Sequence, residues 1–215
     1  MLLVLALQAL PLASGLEYRR AWLGEAPWRL LSAHWVHLSW PHALVNALAL
    51  GLIAEVFSPW LSGRRLLSLL VGASLFISVT LYFAWPSIAW YRGLSGALNA
   101  AFVAGCVLWL ASPRRYGRLL PALLLAGVAI KNLIERSWTD HLPVADWLGG
   151  QVVPQAHLAG ALFGLAAGLL LAGAQRTQGR RQPQAANSSS NTLQDSAPPP
   201  PPPLEKPTDG SSTSP

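Results

Sequence analysis

The chain has 215 residues, of which 52% are hydrophobic and only 11% are charged. Soluble domains carry about 25% charged residues, so this composition excludes an ordinary soluble domain and indicates a membrane-embedded protein whose main partner is the lipid bilayer. The net charge of +6 comes from short basic clusters between apolar runs, which indicates membrane topology and argues against nucleic acid as a partner. The single cysteine, Cys106, excludes an internal disulfide.

Apolar runs along the chain predict an all-α polytopic membrane protein, a six-helix bundle over residues 1–174, because a span needs roughly 20 apolar residues. The first run is short and contains Pro11; a signal peptide is the alternative, but no Ala-x-Ala site ends the run. The fifth run carries Lys131 near its end, where we expect the long side chain to reach the interface. The six predicted spans are Leu2 to Leu16, Leu38 to Phe57, Leu66 to Trp85, Leu94 to Leu110, Leu119 to Ile134 and Val153 to Ala174.

Arginines in the loops predict the orientation of these spans. The positive-inside rule places the more basic side in the cytoplasm, so both termini are expected there. The fourth and sixth spans then begin at the outer, periplasm-like face. The cytoplasmic set is Arg64, Arg65, Arg114, Arg115, Arg118, Arg176, Arg180 and Arg181, and the outer set is Arg19, Arg20, Arg29, Arg92 and Arg136.

The composition changes after the sixth span. From Gln175 onward it is rich in Gln, Ser and Asn, and it includes six consecutive prolines, Pro198 to Pro203. Such a segment cannot bury a core, so we predict that residues 175–215 form a disordered cytoplasmic tail. A polyproline ligand for another protein is the alternative.

Two reactive side chains lie near the start of predicted spans at the outer face, Ser95 in the fourth span and His157 in the sixth. Each is followed by small residues at intervals of four, which share one helical face and permit close helix packing. Packing of the two faces would bring the serine and the histidine together, the minimum equipment for acyl transfer. The alternative is that the glycines only pack and that His157 binds a backbone carbonyl. The small residues are Gly96, Ala100 and Ala104, and Gly160, Gly164 and Gly168.

A second polar cluster lies at the start of the second span. His42 and Asn46 are four residues apart, so both can direct hydrogen-bond donors to one point, as the oxyanion of acyl transfer requires. Zinc binding by His34, His37 and His42 is the rival. These histidines form no His-Glu-x-x-His pattern, and no carboxylate or thiol is near them in sequence. We therefore expect neither a metal nor a cofactor.

In order and spacing, the motifs between Glu17 and Ala174 resemble those of the rhomboid intramembrane serine proteases. The resemblance implies a catalytic dyad of Ser95 and His157, with His42, Asn46 and the Ser95 backbone N–H as oxyanion donors. It also implies that Trp28 and Arg29 shape a loop at the membrane edge. The motifs are Trp28-Arg29, His37, His42-x-x-x-Asn46, Gly93-Leu94-Ser95-Gly96, and Ala156-His157-Leu158-Ala159-Gly160 with Gly164.

The chain departs from the family pattern beside the histidine. Many rhomboids have a tyrosine four residues after the nucleophile, stacked on the catalytic histidine, whereas this chain has Asn99. The orientation of His157 must therefore come from elsewhere, and a polar contact from Asn99 is one candidate. Asp140 and Asp146 lie in the outer loop, whereas an orienting acid would have to be buried beside the ring, so a dyad is predicted.

Residues 16–20 (LEYRR) and 91–96 (YRGLSG) look like the rhombosortase branch of the family. That branch is implied to cleave bacterial exported proteins at a C-terminal signal made of Gly-Gly, a hydrophobic transmembrane helix and a basic end, which implies a location in a bacterial inner membrane. A general rhomboid protease of other single-span substrates is the first alternative. A non-catalytic rhomboid-like binding protein is the second, although it would have no need for Ser95, His157 and Asn46 together. A transporter is disfavoured because the chain has no internal repeat.

Overall fold

The structure, a computed structural model, describes residues 2–11, 13–112, 117–137, 147, 149–150 and 152–195, with side chains described as far as Thr177 except that of Ser137. Several sequence predictions lie outside this part of the chain. They concern Arg114 and Arg115 in the orientation argument, the loop carboxylates Asp140 and Asp146, and the polyproline run.

Helices dominate the described residues, and the only sheet among them is a pair of two-residue strands. The helices are α1 Leu2–Ala9, α2 Ala13–Leu16, α3 Arg29–Ser32, α4 Trp40–Val56, α5 Gly63–Ala84, α6 Ser95–Ala111, α7 Leu119–Ser137 and α8 Pro154–Asp195. The strands are β1 Tyr18–Arg19 and β2 Trp90–Tyr91, and 3-10 turns cover Arg20–Trp22 and Ala33–Trp35.

Membrane-spanning character is clear for part of this bundle. Among the described residues, α5 and the segment Pro154–Thr177 of α8 are long and apolar enough to cross a membrane, and Arg29–Trp35 with α4 makes a third candidate that is bent by 92°. The prediction of a helical membrane bundle is therefore confirmed, whereas the number six is not. The first predicted span is not one helix, because the chain breaks between α1 and α2 around Pro11, which lacks a backbone N–H.

α6 is the centre of the bundle. Twelve of its 17 residues are buried, and it contacts α4, α5 and α7. A helix that is apolar on every side must be surrounded by other helices, and the many alanines of α6 let those neighbours approach. The residue that begins this helix, Ser95, is thereby fixed in position.

The two predicted stripes of small residues pack against each other. A Cβ added at Gly160 would overlap the carbonyl oxygen of Gly96, and one added at Gly164 would overlap that of Ala100. Because the obstacles are backbone atoms, no side-chain rotation could relieve either overlap. The contact between α6 and α8 that the glycine spacing predicts is therefore present, and it holds the N-terminal ends of the two helices together.

α8 continues beyond the predicted boundary at Ala174 and ends at Asp195. Gln175 and Arg176 are good helix formers, so the helix can continue directly past Ala174. Contacts within the chain separate two compact units, Met1–Ala174 and Gln175–Pro215. The disorder of residues 175–215 stays a prediction.

Candidate active site

Ser95 and His157 lie in direct contact. The Ser95 side-chain oxygen is 2.8 Å from His157 Nε2, and His157 is buried with 6% of its surface exposed. Ser95 is the first residue of α6 and His157 belongs to the first turn of α8, so both residues adjoin the glycine contact between the two helices. A neutral imidazole at hydrogen-bond distance can accept the hydroxyl proton and so generate a nucleophile.

A carboxylate that the sequence reasoning missed contacts the other side of the ring. Glu135 Oε2 is 2.7 Å from His157 Nδ1, and the Glu135 side chain is 13% exposed. The acids considered from the sequence, Asp140 and Asp146, lie in the loop before His157, and Glu135, which is partly buried beside the ring, was not among them. A signal existed in the sequence, since Glu135 directly follows the predicted fifth span and lies one helical turn after Lys131.

Lys131 lies one helical turn before Glu135 and pairs with it. Its Nζ is 2.9 Å from Glu135 Oε1, 3.0 Å from Oε2 and 3.3 Å from His157 Nδ1. The lysine side chain is 44% exposed, and the expectation that it reaches the membrane interface stays a prediction. The sequence did not predict that its ammonium group would bind a carboxylate of the site.

Asn99 does not supply the missing orientation. Its Nδ2 donates a hydrogen bond of 3.0 Å to the backbone carbonyl of Ser95, within α6. The described polar contacts of the His157 ring are instead with Ser95, Glu135 and Lys131.

Three hydrogen-bond donors border the space in front of Ser95. His42 Nδ1 accepts from the Leu38 N–H at 3.4 Å, which leaves the ring hydrogen on Nε2 as a donor. Asn46 Nδ2 donates one hydrogen to the His42 carbonyl at 2.9 Å and keeps a second. The Ser95 N–H is in the first turn of a helix, where backbone donors have no acceptor within the helix.

These groups share one cavity of about 150 Å³, lined among others by Ser95, His157, His42, Asn46 and Glu135. Both proposed oxyanion side chains are buried, with 8% of His42 and 3% of Asn46 exposed. Few water molecules can compete for their donors, so a developing negative charge would be stabilised more strongly than in solution.

The loop before Ser95 is shaped by Gly93 and His37. Gly93 has φ +127°, and a Cβ there would lie 2.8 Å from His42 Cε1, so no other residue fits without displacing a donor. His37 Nε2 accepts from the Leu94 N–H at 3.4 Å. The Tyr91 hydroxyl donates to the Gly93 carbonyl at 2.6 Å, and burial raises the pKa of Tyr91, which keeps this donor protonated.

A second serine and histidine pair has a structural role. His34 Nε2 is 3.0 Å from the Ser78 hydroxyl, and that hydroxyl donates to the Leu30 carbonyl at 2.6 Å. Because the only Ser78 proton is used there, His34 must donate to Ser78 and cannot act as its base. In the described part of the chain, no group of three or more His, Cys, Asp or Glu side chains could hold a metal ion.

The side chains of Trp28 and Arg29 bind backbone carbonyls of the segment that leads to β1. Arg29 Nη1 donates to the carbonyls of Ser14 at 3.0 Å and Glu17 at 2.8 Å, and Trp28 Nε1 donates to Gly15 at 3.3 Å. β1 then pairs antiparallel with β2, the strand that leads into the loop before Ser95. The pair therefore supports the site through backbone contacts.

Comparison with known proteins gives one result that bears on this site. The family model for the Rhomboid domain matches residues 24–174, which is more than half of the chain and includes every side chain that lines the cavity. No curated protein matches the chain.

Proposed function

The chain belongs to the rhomboid family of intramembrane serine proteases, and we propose that Ser95 is its nucleophile and His157 its general base. The observation that carries this proposal is the 2.8 Å contact between the Ser95 oxygen and His157 Nε2. A non-catalytic binding protein would have no use for a serine, a base and free hydrogen-bond donors around one cavity.

The proposed reaction is acyl transfer. Ser95 attacks the scissile carbonyl while His157 takes its proton, so a bond forms from the serine oxygen to the carbonyl carbon. The resulting oxyanion accepts hydrogen bonds from His42 Nε2, Asn46 Nδ2 and the Ser95 N–H. His157 then gives the proton to the leaving amine as the peptide bond breaks. Water, or an amine acceptor, releases the acyl-enzyme.

The proposed substrates are exported proteins with a C-terminal transmembrane helix preceded by Gly-Gly, as in the rhombosortase branch. The two segments that carry this resemblance, residues 16–20 and 91–96, are brought together by pairing of Tyr18 with Tyr91 and of Arg19 with Trp90. A helical substrate must unwind before its backbone can enter the site, and glycine lowers the helix stability by about 1 kcal/mol relative to alanine. A cavity of about 150 Å³ also favours a small side chain at the cleavage point.

Cleavage of matched reporters tests the substrate proposal. An exported reporter ending in Gly-Gly, an apolar helix and a basic cluster is co-expressed with the wild-type chain, beside a version in which Ala-Ala replaces Gly-Gly. We expect a new C-terminus near the glycines by mass spectrometry, and far less product from the Ala-Ala version. Equal cleavage of both would leave a general rhomboid protease and remove the rhombosortase assignment.

The proposed setting is a bacterial inner membrane crossed six times, with both termini in the cytoplasm and the site open to the periplasm. Arg64 and Arg65 lie at the start of α5. Because basic residues favour the cytoplasmic side of a membrane, they support an orientation in which this end of α5 is cytoplasmic. Accessibility of single cysteines, placed in each loop of a Cys106→Ala chain, to a membrane-impermeant thiol reagent tests the topology.

A further inference from the structure

We propose that Glu135 completes a Ser95–His157–Glu135 triad as the positioning residue that orients the imidazole. The inference rests on the proposed function, because it assigns how His157 is held for its role as a base. Glu135 does not touch the substrate carbonyl in this scheme and acts only through His157.

Distance and burial support the assignment. The carboxylate oxygen Oε2 lies 2.7 Å from Nδ1, in the range of a charge-assisted hydrogen bond. The His157 and Glu135 side chains are 8% and 13% exposed, so water competes weakly for either partner. A hydrogen bond at Nδ1 fixes the rotation of the His157 ring. With a hydrogen bond to Ser95 alone, the ring could still rotate.

The carboxylate also selects the ring tautomer. Glu135 can only accept when it is ionised, so Nδ1 must carry the hydrogen and Nε2 presents its lone pair to the Ser95 hydroxyl. Lys131 could instead donate to Nδ1 over its 3.3 Å separation. In that tautomer the ring hydrogen would be on Nε2, and Nε2 could then not accept the proton of Ser95. The shorter contact of Glu135 favours the tautomer that activates Ser95.

Lys131 holds the carboxylate in place. Its Nζ contacts both Glu135 oxygens, at 2.9 Å and 3.0 Å, from one turn earlier in α7. The pair is neutral in the resting site, which lowers the cost of burying the acid. When the proton moves, the ammonium and imidazolium carry two positive charges and the carboxylate and oxyanion carry two negative charges, so the site stays neutral overall.

Glu135 also accounts for the asparagine at position 99. The Asn99 side chain binds the Ser95 carbonyl within its own helix, so it leaves the imidazole to be oriented from another direction. α7 supplies that orientation as an electrostatic contact at Nδ1 rather than as an aromatic stack on the ring face.

Reaction of Ser95 with a fluorophosphonate ester tests the inference without a natural substrate. The purified full-length chain is inactivated at several probe concentrations, so that kinact and KI are obtained separately. For Glu135→Gln we expect kinact to fall by about 10² to 10⁴ with KI within twofold of wild type, because the carboxylate acts on the chemical step. Glu55→Gln is the matched control, since it removes an exposed carboxylate from α4, and it should keep both constants.

A second pair of variants separates orientation from shape. Gln has the shape of Glu without its charge, whereas Asp has the charge on a shorter side chain. A positioning role predicts that Glu135→Asp retains more of kinact than Glu135→Gln, and a purely structural role predicts the reverse. If Glu135→Gln does not fold, Glu135→Asp decides: its kinact should be reduced at unchanged KI, and a wild-type kinact would overturn the inference.

The remaining outcomes distinguish this inference from the proposed function. Labelling that is lost in Ser95→Ala but unchanged in Glu135→Gln would leave the protease standing and remove the triad. Wild-type protein that does not label at Ser95 would remove both. Lys131→Met should lower kinact less than Glu135→Gln, and a larger loss in Lys131→Met would show that the lysine, not the acid, holds Nδ1.

Discussion

Substitution of Gly96 with alanine tests whether the contact of α6 with α8 sets the catalytic distance. A Cβ at Gly96 would lie 2.8 Å from the Ala156 carbonyl oxygen and 3.0 Å from Ile77 Cδ1. Carbon–oxygen contacts are normally about 3.3 to 3.6 Å, so the two helices must separate there by roughly 0.5 to 0.8 Å. The oxygen belongs to the backbone of α8, so rotation of a side chain cannot relieve the contact.

That displacement acts directly on the reacting pair. Gly96 follows Ser95 and Ala156 precedes His157, so a separation of this size would lengthen the 2.8 Å contact to roughly 3.3 to 3.6 Å. A misplacement approaching 1 Å costs up to about 10² in rate, and we expect a 10- to 100-fold loss. Overpacking costs about 1 to 3 kcal/mol and alanine returns about 1 kcal/mol of helix propensity, so the free energy of unfolding should fall by only about 0 to 2 kcal/mol.

The assay is the kinact of the fluorophosphonate reaction, with thermal unfolding measured in the same detergent. Gly127→Ala is the matched control, because Gly127 is a helical glycine of α7 whose added Cβ would meet nothing within 4 Å. It should react at the wild-type rate. A folded Gly96→Ala protein that also reacts at the wild-type rate would show that this packing does not set the catalytic geometry.

Three further sets of variants address the dyad, the oxyanion donors and the tail. Ser95→Ala and His157→Ala should each abolish reporter cleavage in folded protein, and the double variant should be no worse because the pair acts as a unit; full activity of purified Ser95→Ala would refute the assignment. Asn46→Ala should cleave about 10² to 10³ times more slowly than wild type in the same liposomes, yet faster than Ser95→Ala; an unchanged rate would remove its donor role. Deletion of residues 182–215 should leave cleavage and thermal stability unchanged; a loss of activity in a well-inserted truncation would identify the tail as a functional partner site.

The sequence by itself determined the helical membrane class and the contact between two helix faces. The helix period places residues four apart on one face, so Gly96 with Ala100, and Gly160 with Gly164, predict surfaces that only another close helix can fill. Ser95 and His157 adjoin these surfaces, and the structure accordingly brings them together. The same local rule placed His42 and Asn46 on one side of α4, beside the same cavity.

Only the tertiary structure decided which group binds Nδ1 of the His157 imidazole. Lys131 and Glu135 are one helical turn apart in the sequence, a spacing that permits their ion pair. This spacing does not predict which side chain the ion pair contacts. The rotation and the axial position of α7 relative to α8 are set by packing between distant parts of the chain. Local periodicity fixes only the faces of each helix, so the 2.7 Å contact of Glu135 with His157 exists only once α7 and α8 are packed together.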